Sequence, residues 1–272
     1  MRKSTKALVA TVIIVGCALQ LIPFYLAVTT AFKEQSDLSS VWWFPFGEAT
    51  GRNFAEAIES GGILRATLNS AVVTVVSTLL VCVLAALAAY PLARRRTPVN
   101  RGVEFLILAV MMVPPLSILV PLYSLLNTMG LLNTYAGLIL PLTCMELPRA
   151  IFLYTQFLRS VPISLEEAAR VDGANRLQTL RRIVFPLLKP VTVTVVILTG
   201  VYVWNEYALS SYIMTSMDMR TLAPAIATFF GANGSNANAA VAAALIGVVP
   251  MLIAYLFLQK YFVKGMLAGA EK

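Results

Sequence analysis

The sequence contains no histidine among its 272 residues, and only 12% of them are charged. Without histidine, histidine-based proton transfer and histidine metal ligation are excluded, and no nucleophile–base pair of an intramembrane enzyme is visible. The three cysteines, Cys17, Cys82 and Cys144, are far apart in apolar runs, so they form neither a metal-site spacing nor a disulfide framework. No Gly-x4-Gly-Lys-Ser/Thr motif is present, and we therefore expect the chain not to bind ATP itself.

Apolar residues dominate the composition. They make up 58% of the chain, and the mean hydropathy is +0.78. A soluble globular domain has about 25% charged residues, roughly twice the share found here. The balance indicates a polytopic membrane protein, and the length of its apolar runs predicts that it is all-α. The net charge of +8 is compatible with nucleic-acid binding, but its distribution along the chain favours membrane orientation instead.

Six apolar runs have about the ~20 residues that a helix needs to cross a bilayer. The first follows a basic N-terminus, but it is longer than the apolar region of a signal peptide, and no cleavage site ends it, so we predict a retained span. Pro114 and Pro115 interrupt the third run. The predicted spans, in one transmembrane domain over 1–272, cover about residues 8–32, 67–93, 103–126, 135–158, 191–213 and 239–262.

Lysine and arginine are unevenly divided between the two sides of these spans. Sixteen lie in the two termini, the 94–101 loop and the 159–190 loop, and four lie in the other loops. The positive-inside rule then predicts that both termini and the 159–190 loop are cytoplasmic. A secondary transporter is a competing interpretation, but it predicts an inverted repeat and coupling-ion residues, and we find neither.

The longest polar stretch lies between the fourth and fifth runs. Ser164 and Glu167 have the spacing of a capping box. Gly173 predicts a left-handed residue that ends this helix near Asp172, and Asn175 predicts the cap of a second, basic helix. A DNA-binding helix-turn-helix has similar features, but here there is no third helix, and apolar runs tether the unit on both sides. A solvated surface hairpin is the plainer alternative.

The same stretch resembles the EAA loop of ABC importer permeases. The family pattern is Glu-Ala-Ala, three residues, Gly, nine residues, and Ile-x-Leu-Pro. Here it reads Glu167-Ala168-Ala169, Gly173 and Ile183-Val184-Phe185-Pro186, with Phe185 in place of leucine. Three further segments are similar to the carbohydrate-uptake branch of this family. They are Ala89–Arg94, Trp204-Asn205-Glu206 and Tyr261–Gly265.

The resemblance implies a type I ABC importer permease fold, similar to the shorter permease of maltose-type systems. It implies a translocation subunit, not an enzyme, that moves a sugar or oligosaccharide across the bacterial inner membrane. ATP and Mg²⁺ would bind to a separate ATPase dimer, and this chain would hold no cofactor. The implied partners are a second permease, an extracytoplasmic sugar-binding protein and membrane lipid, without nucleic acid. Permeases for a polyamine, an amino acid or glycerol phosphate share the loop and stay open as alternatives.

The resemblance also implies that the helix 165–172 docks in a cleft of the ATPase as a coupling helix. Glu167 would contact a partner charge, or it would only cap its own helix. The implied ATPase-coupling residues are Glu167, Ala168, Ala169, Asp172, Gly173, Ile183 and Pro186.

Ionisable groups inside a span are costly and are usually functional. Glu206 lies about 15 residues into the fifth run, among aromatic and amide side chains that suit the C–H faces and hydroxyls of a sugar. It would contact substrate, or it would clamp two helices together. Glu146 and Arg149 are predicted to form a structural pair. The candidate substrate-pathway residues are Glu206, Asn205, Trp204, Tyr207, Tyr123 and Asn127.

Overall fold

The chain is all-helical, as predicted. A computed structural model describes residues 3–231 and 236–270, with side chains from residue 8 to 257 and at 259, and this part contains no strand. Short 3-10 turns at Pro115–Ile118 and Thr228–Phe230 accompany the helices. The helices are α1 (Lys3–Phe32), α2 (Arg52–Glu59), α3 (Ile63–Arg94), α4 (Pro98–Met111), α5 (Leu119–Thr128), α6 (Tyr135–Ser160), α7 (Ser164–Val171), α8 (Arg176–Leu187), α9 (Lys189–Trp204), α10 (Ala208–Ile213), α11 (Leu222–Ala227) and α12 (Ala237–Ala270).

The described helices supply four to six membrane spans. Two pairs of helices are apolar enough to cross a bilayer only when each pair is counted as one span. Pro98–Met111 and Pro115–Thr128 meet at 91°, and Arg176–Leu187 and Lys189–Trp204 meet at 66°. The helices that qualify alone are Leu8–Phe32, Ile63–Arg94, Tyr135–Ser160 and Ala237–Phe257.

Two predicted runs are not continuous helices. The third, predicted over 103–126, breaks at Pro114, where the backbone is extended. A residue that precedes proline is sterically driven out of the helical region, so Pro114 before Pro115 explains this break. The fifth run, predicted over 191–213, stops at Trp204 and resumes at Ala208, and no proline or glycine lies in this gap.

The chain packs as two compact units, and the prediction of one transmembrane domain over 1–272 stays a prediction. Residues 66–223 and 250–272 form the larger unit. Its first buried cluster joins the alanine-rich end of α3 to α6 and α9, where Ala85 and Ala89 pack with Tyr154 and Val195. Such small residues let helix backbones approach closely in a membrane.

The smaller unit consists of residues 1–65 and 224–249, and polar contacts hold its loops. Lys33 is 3% exposed, and its ammonium lies 3.2 Å from the Asp37 carboxylate and donates to the Ser40 carbonyl at 2.9 Å. Hydrogen bonds from Ser39 to Asp37, aided by Lys33, hold the pKa of this carboxyl below its usual range. The Asn53 amide donates to the Lys33 carbonyl at 2.7 Å and so ties α2 to the end of α1.

Two helical glycines give a matched test of how closely residue 131 approaches the start of α6. A Cβ at Gly137 would lie 2.1 Å from the Leu131 carbonyl oxygen, whereas a Cβ at Gly102 would meet no atom within 4 Å. We expect Gly137→Ala to lower the free energy of unfolding by about 1–3 kcal/mol, because backbone must move to admit the methyl group. Gly102→Ala should raise it by up to about 1 kcal/mol through helix propensity.

Thermal unfolding of both variants in the same detergent measures the difference. If Gly137→Ala had the same melting temperature as the wild-type protein, residue 131 would not approach the start of α6 as closely as the structure places it.

Candidate functional site

Helix α7 begins one residue earlier than a capping box requires. Ile163 occupies the N-cap position, and no side chain caps the helix. The backbone N–H groups of Glu166 and Glu167 donate instead to the Ile163 carbonyl, at 2.9 and 3.1 Å. The predicted capping box is therefore wrong, because Ser164 is already inside the helix. Two glutamates in the first turn still suit the positive end of the helix dipole.

The turn after α7 agrees with its prediction. Asp172 is the C-cap, and Gly173 has a φ of +84°, in the left-handed region. The Gly173 N–H donates to the Arg170 carbonyl at 3.0 Å, and the Ala174 N–H donates to the Ala169 carbonyl at 2.9 Å. These two bonds are those of a Schellman motif, which fixes how the chain leaves the helix.

Helix α8 has the predicted cap. The Asn175 side chain accepts from the Gln178 N–H at 2.9 Å, and the Gln178 side chain accepts from the Asn175 N–H at 2.9 Å. Further along, Leu180–Val184 adopts a π-helical turn. Pro186 has no N–H to give to a regular helical turn, and the wider turn before it lets α8 continue. Ile183 is half-buried in that turn.

The α7–α8 hairpin presents the Glu167 carboxylate close to exposed apolar side chains. Glu167 and Ala168 are exposed, and the Glu167 carboxylate makes no hydrogen bond or ion pair in the described part of the chain. Ile163, Leu165 and Val171 are also exposed, Val171 at 87%. Among the other predicted coupling residues, Asp172, Gly173 and Pro186 are exposed and Ala169 is buried. The hairpin thus gathers these residues in one segment, and most of them are accessible.

The buried glutamate of α7 was not among the predicted site residues. Glu166 accepts from the Tyr90 hydroxyl and from Arg94 Nε, each at 2.7 Å. Arg94 Nη1 also donates to the carbonyls of Leu158, at 2.8 Å, and Val161, at 3.1 Å. Tyr90 and Arg94 belong to the Ala89–Arg94 segment that resembles the carbohydrate-uptake branch, and this segment was the available signal.

The carboxylate of Glu206 caps the short helix α10. One oxygen accepts from the Leu209 N–H at 2.7 Å, and the other accepts from the Ser210 N–H at 2.8 Å and the Ser210 hydroxyl at 2.7 Å. All of these contacts lie within residues 206–210, so the Glu206 side chain forms no interhelical clamp with the residues that the structure describes. The cap stabilises the break after Trp204 inside the predicted fifth span.

The remaining pathway candidates lie at this break and on α5. Asn205 and Tyr207 are exposed beside the break, whereas Trp204 is 8% exposed. Tyr123 and Asn127 are exposed on α5, four residues apart on one helical face. Helix α5 packs with α10 through a shared buried cluster, in which Leu126 joins Leu209 and Ile213. The two groups of candidates therefore lie on neighbouring helices.

The predicted pair of Glu146 and Arg149 forms. Their side chains make an ion pair on α6, with the Glu146 side chain 6% exposed and that of Arg149 35% exposed. The Arg149 guanidinium lies 5.7 Å from the centre of the Tyr202 ring on α9. The pair thus joins two helices of the same unit.

Removing the Glu206 cap should have a measurable cost. We expect Glu206→Ala to lower the free energy of unfolding by about 1 kcal/mol, as for other lost N-terminal caps, whereas Glu206→Gln keeps an acceptor and should cost less. Thermal unfolding checks the order of the two variants. A Glu206→Ala protein as stable as the wild type would contradict the cap.

A family model and several known proteins match this chain over most of its length. Residues 82–268 match the family described as binding-protein-dependent transport system inner membrane component. The chain is 42% identical over 271 residues to the melibiose/raffinose/stachyose import permease protein MelC of Bacillus subtilis, with 99% of this chain and 98% of MelC covered. It is 34% identical over 263 residues to the multiple sugar-binding transport system permease protein MsmG of Streptococcus mutans, with 95% and 94% covered.

A solved structure shares the fold. A chain of a bacterial ABC transporter involved in the import of the acidic polysaccharide alginate superposes with a TM-score of 0.81 at 21% identity, covering 96% of this chain and 99% of that one. The expected fold of an ABC importer permease is therefore confirmed.

Proposed function

Because the chain belongs to the family of binding-protein-dependent transport system inner membrane components, we propose that it is a translocation subunit of a bacterial ABC importer for a sugar or oligosaccharide. It is a multi-pass membrane protein and a transport subunit, not an enzyme. The observation that carries the sugar assignment is the 42% identity to MelC along 99% of the chain. The sugars in the name of MelC, melibiose, raffinose and stachyose, are neutral.

In this proposal the α7–α8 hairpin docks on a separate ATPase, which binds ATP and Mg²⁺. The exposed Glu167 carboxylate faces a partner charge, and Leu165 and Val171 fill the apolar part of the cleft. Covering such side chains is favourable by about 25 cal/mol per Å². The docking set is the predicted one: Glu167, Ala168, Ala169, Asp172, Gly173, Ile183 and Pro186.

The assembly contains a second permease and an extracytoplasmic sugar-binding protein, with lipid around the spans. Both termini and the hairpin lie in the cytoplasm, as the distribution of lysine and arginine favours. Sugar passes between the two permeases. On this chain the exposed Tyr123 and Asn127 of α5 and Asn205 and Tyr207 at the break suit a neutral ligand, since rings and amides bind without fixed charge.

Mild-detergent purification of the tagged chain, with co-purifying chains identified by mass, tests the assembly. We expect an ATPase with a Walker motif, a second permease and a binding protein. Cells should take up labelled raffinose, and uptake should stop on ATP depletion but survive a protonophore.

Three results would contradict the proposal in different ways. A chain that purifies alone, with uptake that a protonophore abolishes, would indicate a secondary transporter. Uptake of a polyamine or glycerol phosphate in place of any sugar would preserve the importer and overturn the substrate class. Loss of ATP dependence with the ATPase still bound would overturn the coupling.

A further inference from the structure

The two adjacent glutamates of α7 point to opposite environments. Glu166 is 2% exposed, whereas Glu167 is exposed and its carboxylate makes no hydrogen bond or ion pair among the described residues. Successive residues of a helix are about 100° apart, so one turn of α7 presents one carboxylate to a partner and the other to its own chain. The proposed coupling function uses only the outward one.

The inward carboxylate is fully engaged. One oxygen of Glu166 accepts from Arg94 Nε and the other from the Tyr90 hydroxyl, both at 2.7 Å. Burying a carboxylate is costly unless it is paired and hydrogen-bonded, and here both conditions hold. Tyr90 and Arg94 are four residues apart, on the same face of the last turn of α3. The contact therefore ties α7 to the end of α3.

Arg94 joins a third element. Its Nη1 donates to the carbonyls of Leu158 and Val161, at 2.8 and 3.1 Å, where α6 ends. The last carbonyls of a helix have no partner within the helix and carry the negative end of its dipole, so a guanidinium suits them. One side chain thus holds the end of α3, the end of α6 and the inner face of α7.

This junction decides how movement of α7 can reach the membrane. Residues 161–163 link the end of α6 to the start of α7. This link is short and is not part of either helix, so it can act as a hinge. Arg94, Tyr90 and Glu166, which we call the α3 latch, close that hinge from the side. We infer that the α3 latch makes α7 move as one body with α3. The conformational change of the docked ATPase is then transmitted to the membrane-spanning helices through α3. The inference rests on the proposed coupling function.

Arg94→Gln in the complete importer, reconstituted with its binding protein in liposomes, tests this route. We expect ATP hydrolysis to continue while raffinose transported per ATP hydrolysed falls about tenfold, since the charged bonds of Arg94 are lost. Arg94→Lys should recover only part of that ratio, because one ammonium lacks the fork that reaches both Glu166 and the α6 carbonyls. The control is Arg96→Gln, an exposed neighbour with no side-chain partner among the described residues, which should leave the ratio unchanged.

A double variant tests whether Arg94 and Glu166 act through one shared interaction. Arg94→Gln with Glu166→Gln should be about as uncoupled as Arg94→Gln alone, because both changes remove the same interaction. Independent effects would instead multiply. Multiplied effects would overturn the assignment of one shared role to the two side chains.

Hydrogen exchange of the purified chain gives a readout that needs neither sugar nor ATPase. Amides of residues 164–171 should exchange about tenfold faster in Arg94→Gln than in the wild type or Arg96→Gln, because opening of α7 becomes easier. Unchanged exchange would overturn the latch. Faster exchange with a wild-type transport ratio would overturn α3 as the route. If the wild-type chain bound no ATPase, both the proposed function and the α3 route would be overturned. Hydrogen exchange would then still test whether the latch holds α7.

Discussion

Replacing Gly173 by valine is expected to reduce ATP-driven uptake at least about tenfold while the chain still inserts and folds. Gly173 has a φ of +84°, and a β-branched residue in this region costs roughly 1–2 kcal/mol or more. A Cβ there would meet no atom within 4 Å, so the penalty is conformational and not a clash. The chain relieves it by leaving the left-handed region, which breaks the Schellman bonds and turns α8 away from α7.

Gly130 provides the matched control. It has a φ of +68°, follows α5, and a Cβ there would also meet no atom within 4 Å. Gly130→Val should therefore lower the melting temperature about as much as Gly173→Val does, yet leave uptake near the wild-type level. Gly173→Asn should retain most of the uptake, because asparagine tolerates the left-handed region.

Uptake of labelled raffinose and thermal unfolding, measured on the same preparations, separate the two effects. Equal loss of uptake in both valine variants would mean that stability alone matters. Full uptake in Gly173→Val would mean that the angle of the hairpin is not part of the coupling.

Local signals predicted the hairpin well because its turn chemistry lies within a few residues. Gly173 and Asn175 were assigned correctly from residue type and spacing, since only certain residues satisfy a left-handed turn or an N-cap. The predicted start of α7 is wrong for a related reason. A capping box needs the N-cap residue, and the sequence pattern of Ser164 and Glu167 does not reveal that the helix begins after Ile163.

The break in the fifth run has a weaker local signal than the break in the third. The third run carries Pro114 and Pro115 at its break, whereas residues 205–207 include neither proline nor glycine. Asn205 and Glu206 are polar and interrupt the apolar run, but the hydrogen bonds by which the Glu206 carboxylate stabilises the break are visible only in the fold.

Long-range pairing was the part that the sequence could not supply. Glu166 and Arg94 are 72 residues apart, and adjacent glutamates in a first turn both look like charges that suit the helix dipole. No periodicity distinguishes the buried one from the exposed one. Which of Glu166 and Glu167 is buried and which is exposed therefore depends on the packing of α3 against α6 and α7.

Replacing Arg149 by leucine is expected to be the most destabilising change at the ion pairs of α6. It leaves Glu146, whose side chain is 6% exposed, without its counter-charge and removes the guanidinium from the Tyr202 ring. Breaking a buried pair from one side costs about 3–5 kcal/mol, and the partial exposure of Arg149 favours the lower figure. Glu146→Leu should cost less, because the half-exposed Arg149 can still reach polar surroundings.

The double variant Glu146→Leu/Arg149→Leu should be more stable than Arg149→Leu, because apolar residues of similar volume replace a buried pair at little cost. The control is the ion pair of Arg159 and Glu104 on the same unit, whose side chains are 38% and 30% exposed. Arg159→Leu should cost at most about 1 kcal/mol. Thermal unfolding in one detergent compares all four, and additive costs of the two single variants at Glu146 and Arg149 would contradict the pairing. Uptake by the double variant then decides the role of the Glu146–Arg149 pair. Retained uptake supports a structural role, whereas lost uptake at full stability would place Arg149 on the substrate pathway.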